Sequence, residues 1–195
     1  MNSEFFKENI PSIHTELLNK LKGQKLIKMT RYSWWQASEA VEQCSISAEE
    51  VFSLTAGPIL LYFESGIVLG GASNPSENSV IIWAEKDGDT YTSEEAIEND
   101  PELWGIDAVD EKYSSDFWRK VIGKHIVDFS IIKREPQNAK YIDLPNEVGL
   151  MLVTEDNEKF ILSHGLHDNS DDFSVITESQ IDEGIVSKLQ GLKMA

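Results

Sequence analysis

One arrangement of features occurs twice along the chain, and it restricts the fold more than any other property of the sequence. In its first occurrence Ile10, Ile13, Leu17, Leu18 and Leu21 form an apolar stripe at helical spacing. Pro11 suits a first helical turn, and Gly23 suits a left-handed C-terminal cap. A strand is predicted over 25–32, with Ile27 and Met29 on one face and Lys28 and Thr30 on the other; Leu26, Arg31 and Tyr32 depart from strict alternation. A connection containing Trp34 and Trp35 follows. Two apolar runs, 59–63 and 67–69, then flank Glu64-Ser65-Gly66 and read as a β-hairpin. Asn74-Pro75-Ser76 marks a loop, and 79–83, rich in β-branched residues, reads as a last strand.

The second occurrence begins with Phe117, Trp118, Val121 and Ile122, a short apolar helix face, followed by Gly123. Ile126, Val127 and Phe129 match Leu26, Ile27 and Met29 at an offset of 100, as Gly123 matches Gly23. The runs 150–153 and 160–162 repeat the hairpin, and Asn169-Ser170 with Ser174-Val175-Ile176 repeat the loop and last strand. The offset falls to 91 at the hairpin and rises to 95 at the last strand, so the second copy has a shorter connection between its first two strands. The expected fold is α+β: a tandem duplication of a helix plus antiparallel β-hairpin and strand unit, giving two similar half-domains across a pseudo-twofold. The halves are placed at 1–84 and 117–195, with 85–116 as an acidic linker or insertion.

That middle segment carries 12 acidic residues and two basic ones, Lys86 and Lys112, a local charge of −10. The whole chain of 195 residues has 17 Lys and Arg against 34 Asp and Glu, a net charge of −17. Such a balance argues against nucleic acid as a partner, because phosphate binding needs clustered cations. Hydrophobic residues make up 41%, enough for a core, which excludes global disorder. No apolar stretch approaches the ~20 residues of a membrane-spanning helix, and the N-terminus lacks a basic region followed by an apolar one. Cys44, the single cysteine, has no disulfide partner within the chain. These features predict a cytoplasmic protein with no membrane association.

The acidic segment is the feature with the clearest functional meaning. A field of this sign speeds encounter with a basic protein, and Trp104 within it supplies an aromatic anchor. Glu94, Glu95, Glu98, Asp100 and Trp104 are therefore the expected partner-binding residues. Trp34 and Trp35 are adjacent, so on extended chain they point to opposite faces and one is available to a partner. The most chemical-looking cluster is His164, His167 and Asp168, residue types that ligate divalent metals. Gly165 and the following Asp-Asn-Ser run favour a loop there over a helix that would align the imidazoles. Glu64 and Glu155 occupy equivalent hairpin turns, where exposed charge is the ordinary role. No Gly-x-Ser-x-Gly, P-loop or dinucleotide fingerprint occurs, so neither a cofactor nor catalysis is expected.

With its acidic run at 85–116 and repeated hairpins at 59–69 and 150–162, the chain resembles bacterial toxin-immunity proteins in size, acidity and α+β architecture. The resemblance covers most of the chain and rests on no motif. It implies direct binding that blocks a toxin's active site. The expected function is a non-enzymatic acidic binding protein, an immunity-type inhibitor of a basic toxin. The alternatives are a metal-dependent enzyme using His164, His167 and Asp168, and a structural or assembly module whose half-domains pair through the hairpins.

Overall fold

The computed structural model describes residues 9–93 and 96–193, with the side chains of 192 and 193 set aside. Elements are numbered along the chain. After a 3-10 turn at Pro11–His14 come α1 (Thr15–Leu21), β1 (Leu26–Ser33), α2 (Ala37–Gln43), α3 (Val51–Leu54), β2 (Ile59–Phe63), β3 (Val68–Asn74) and β4 (Ser79–Asp87). Then follow β5 (Thr90–Tyr91), β6 (Trp104–Asp107), α4 (Asp116–Val121), β7 (Ile126–Arg134), β8 (Gly149–Thr154), β9 (Lys159–His164), β10 (Phe173–Ile176), α5 (Glu183–Val186) and β11 (Leu189–Lys193). The strands form two antiparallel sheets, ordered β5-β4-β3-β2-β1-β6 and β10-β9-β8-β7-β11. No helix among the described residues is long and apolar enough to cross a membrane.

The sheets share one core. Leu61, Leu69, Val80 and Ile82 from the first sheet join Phe129, Leu150, Leu152 and Leu162 from the second. Gly71 marks how closely they approach, since a Cβ there would lie 2.9 Å from Leu162 Cδ1. Trp118 of α4 is fully buried, stacks edge-on to Phe160 at 5.7 Å, and donates from Nε1 to Ser53 Oγ at 2.9 Å. Its truncation would cost about 3–5 kcal/mol by the usual cavity and transfer terms.

A reciprocal backbone clasp joins the starts of β1 and β7. Gly23 N–H donates to Ile126 O at 2.7 Å, and Gly123 N–H donates to Leu26 O at 2.7 Å. Leu26 N–H reaches Lys124 O at 2.8 Å, and Ile126 N–H reaches Gln24 O at 2.9 Å. Both glycines are left-handed, at φ +80 and +86, as expected for residues that end a helix and turn the chain into a strand. The hairpin-turn acids complete the clasp. Glu64 N–H donates to Lys25 O while its Oε1 accepts from Lys25 N–H; Glu155 makes the same pair of bonds with His125.

One detail of a predicted strand and one of the predicted helix are corrected. Ile27 is 50% exposed while Met29 is buried, so they do not share a face. A bulge between Leu26 and Lys28 inserts one residue and reverses the alternation, and β7 has the same bulge between Ile126 and Asp128. In the predicted helical stripe, Ile13 is 57% exposed. It lies in the 3-10 turn, whose three residues per turn carry it off the buried face of α1. The span 85–116 supplies structure rather than only a connection. It completes β4 and contributes β5, and its β6 pairs antiparallel with β1 at the sheet edge, as β11 pairs with β7 in the other sheet.

Candidate binding face and cleft

The acidic segment folds back on the outer face of the first sheet. Glu85, buried on β4, accepts Trp83 Nε1–H at 2.6 Å and Ile97 N–H at 2.8 Å, which pins the chain entering 96–103. Gly70 makes room for the indole: a Cβ there would fall 2.2 Å from the Trp83 ring. Ile97 and Leu103 then cover Tyr32, Leu60 and Val68. Glu98 is held by two phenols, accepting from Tyr91 O–H on one oxygen and from Tyr62 O–H at 3.3 Å on the other. Burial first, and then Tyr32 and Glu98, raise the Tyr62 pKa, so it stays a neutral donor.

The lysines of this region lie over aromatic rings. Lys86 is 5.0 Å from the Tyr91 ring centre, Lys28 is 5.2 Å from that of Tyr62, and Lys112 is 4.8 Å from that of Tyr113. Glu98, Asp100 and Glu102 stand exposed on a backbone fixed by these contacts, with Asp100 Oδ1 accepting Glu102 N–H at 2.9 Å. Glu94 and Glu95 lie outside the described residues. Trp104 opens β6, opposite Ser33, and is 46% exposed. Trp34, next in the chain after Ser33, is 54% exposed, whereas Trp35 is half-buried against the core. Two exposed indoles therefore stand at one end of the β1–β6 pair.

The imidazoles of His164 and His167 do not converge. His164, ending β9, is buried, and its Nε2 meets Asn78 Oδ1 at 3.2 Å, which makes Nε2 the protonated nitrogen. Asn78 in turn donates to Asn146 Oδ1 at 2.7 Å. Burial lowers the His164 pKa, against a weaker opposing pull from Asp171. His167 instead places Nδ1 3.0 Å from Gln180 O. Gly165, at φ +67 and packed on Ser170 O, turns the loop that separates them. Burial pushes the Asp168 carboxyl up, but hydrogen bonds from Ser170 outweigh it and hold the pKa low. Among the described residues no group of three or more His, Cys, Asp or Glu side chains is placed to hold a metal ion.

His167 and Asp168 belong to a different feature, a cleft of about 470 Å³ whose walls include Trp35, Cys44, Ala56, Asp172, Phe173 and Ser174. Ser174 is 6% exposed, and its Oγ has no hydrogen-bond partner among the described residues. Arg31 is fully buried, its guanidinium 4.5 Å from the Phe173 ring centre. Its Nη2 donates to Phe173 O at 2.7 Å and also to Thr55 O, while Nε and Nη1 have no partner among the described residues. Burial lowers its pKa to about 9, with the Cys44 thiol opposing that shift. Sequence reasoning did not reach Arg31 or Ser174 as site residues. The available signal was Arg31 itself, a cation at an inward position where β7 carries Ile131. Compared with protein-family models, curated proteins and solved structures, the chain matches none.

Proposed function

We propose that this chain is an acidic binding protein that recognises a basic protein by electrostatic docking and performs no chemistry of its own. The observation that carries the reading is the clamping of Glu98 by Tyr62 and Tyr91. A charge run that only solubilises has no need of a fixed backbone; this one is tied to a sheet face through Glu85, Glu98, Ile97 and Leu103. Preorganised charge lowers the ordering cost of association and raises its rate. The exposed Trp104 and Trp34 give the face aromatic groups of the kind that dominate interface energetics.

The paired clasp, the paired bulges and the matching edge strands support descent of the two halves by tandem duplication of one helix-and-sheet unit. On this reading only the first copy acquired the acidic segment. The molecule acts in the cytoplasm as an immunity-type inhibitor, and its target is a cationic toxin. The test is binding to the purified product of the neighbouring gene at low ionic strength. Binding that blocks that protein's activity and weakens with salt is expected. Failure to bind would contradict the immunity-type reading.

A further inference from the structure

We propose that the open edge of β6 receives an extended segment of the basic partner as a further strand of the first sheet, an inference that rests on the reading of this chain as an acidic binding protein. β6 is the last strand of that sheet and pairs there with β1. The direction of its backbone groups follows from two hydrogen bonds. Ala108 N–H donates to Met29 O at 3.0 Å, so this pair and, two residues on, Arg31 with Ile106 are hydrogen-bonded pairs of the ladder. Tyr32, which lies opposite Gly105, sends its own N–H the other way, to Pro58 O at 2.8 Å. Gly105 therefore turns both its N–H and its C=O to the open side, and Asp107 turns its N–H there; the Asp107 carbonyl accepts from Asp110 N–H at 3.0 Å. Gly105 is exposed, and the exposure of a glycine is that of the backbone itself. An exposed edge of this kind is a template for a strand from another chain.

Side-chain chemistry selects the strand. Gly105 leaves the outer face of the edge open beside Tyr32: a Cβ there would lie 3.7 Å from Tyr32 Cε1 and 3.3 Å from Thr30 Cγ2. Its φ is not positive, so no turn conformation requires glycine here; glycine within a strand marks a close approach of another backbone. Asp107 shares that face by strand alternation, with its side chain 39% exposed and a loose ion pair to Lys28 at 3.9 Å. Glu98, Asp100 and Glu102 stand exposed on the segment leading into β6. A lysine or arginine is the residue this face attracts. On the inner face Trp104, 46% exposed, stands with Ile106, which is buried in the shared core, and a neighbour placed beside them is apolar. The segment that fits alternates basic and apolar residues. The matching edge of the second sheet is the internal control. β11 carries Gly191 opposite Ile132, as β6 carries Gly105 opposite Tyr32. Arg134, opposite Leu189, likewise sends its N–H away, to Asn146 O at 3.0 Å, so Leu189 and Gly191 face the open side of β11. β11 holds no acidic residue, follows Lys188 and pairs with Lys133 and Arg134, so its charge has the sign of the partner's own. Backbone alone admits a strand at either edge; charge directs a basic one to β6.

The test is an amide-exchange NMR titration of the full chain with an acetylated, amidated peptide of about six residues that alternates lysine and valine, set against its glutamate–valine analogue. Saturable binding of the lysine peptide is expected to slow exchange at the Gly105 and Asp107 amides and to leave those of Leu189 and Gly191 unchanged; the glutamate peptide should slow none of them. Gly105→Pro removes the outward N–H and sets its ring on the open edge, whereas Gly105→Ala adds the same Cβ and keeps the N–H. The proline variant should bind the peptide about ten-fold more weakly than the alanine variant. No slowing at Gly105 and Asp107, equal slowing at Gly191, or equal binding by the two variants would overturn the proposal. Slowing at Gly105 that grows with the concentration of the chain alone would overturn it too, since a second copy would then hold the edge. If the purified product of the neighbouring gene binds Gly105→Pro as well as it binds Gly105→Ala, the strand edge fails and the electrostatic reading stands. If the lysine peptide pairs with β6 but that protein does not bind the chain, the edge stands and the electrostatic reading fails.

Discussion

The guanidinium of Arg31 lies over the ring of Phe173 and donates to the same residue's carbonyl at 2.7 Å, joining the first sheet to the edge strand of the second. Among the described residues no carboxylate is hydrogen-bonded to it; its acceptors are the carbonyls of Phe173 and Thr55. Burying a cation on carbonyls alone is expensive, so the position should tolerate a well-packed apolar chain better than a truncation. The equivalent residue in β7, Ile131, is buried in the same core. Arg31→Ala, which leaves a cavity and two unpaired carbonyls, should destabilise by about 3–5 kcal/mol. Arg31→Met should cost at least about 2 kcal/mol less. Urea unfolding of both variants checks this, and equal losses would show that the charge itself is needed.

His164 makes stability depend on acidity. Its folded pKa lies below the ordinary histidine value, mainly because of burial, so the unfolded chain takes up a proton before the folded one does. Stability contributed by the neutral ring is therefore present above about pH 6.5 and is lost as pH falls through the lowered folded value. The slope approaches about 1.4 kcal/mol per pH unit where only the unfolded state is protonated. His164→Gln, which keeps a donor for Asn78, should show a shallower decline in unfolding free energy between neutral and mildly acidic pH. Parallel declines in the two proteins would contradict the assignment.

Gly23 and Gly123 should respond alike to substitution. Each has positive φ, and a Cβ at either would meet no atom of the described residues within 4 Å, so the penalty is conformational rather than steric crowding. Alanine at either position should cost about 1–2 kcal/mol, and denaturant midpoints of the two single variants should fall by similar amounts. A large difference between them would mean that the clasp is not equivalent on its two sides.

The repeating pattern made much of the fold legible. Gly23 and Gly123 marked both helix ends, and each predicted hairpin formed at its predicted turn. What escaped was non-local. The bulges that reverse Ile27 leave no mark in residue periodicity, because an inserted residue is visible only against a partner strand. The acidic segment read as a linker or insertion because its apolar residues are scattered; Ile97, Leu103 and Ile106 find their places only once β1 and β2 present a surface to cover. The histidines at 164 and 167 read as one cluster because they are close in sequence, while the left-handed Gly165 turns them toward Asn78 and Gln180. The cleft draws Trp35 and Cys44 together with Ser174, more than a hundred residues apart, and no local pattern reports such a meeting.

The central claim is that a fixed anionic face drives encounter with a cationic protein. Stopped-flow association with the purified product of the neighbouring gene, measured across ionic strength, tests it most directly. The account predicts a rate constant that falls by about ten-fold or more from low to high salt, and a low-salt rate reduced in a variant carrying Glu98→Gln, Asp100→Asn and Glu102→Gln. A rate unchanged by salt and equal in the variant would contradict it.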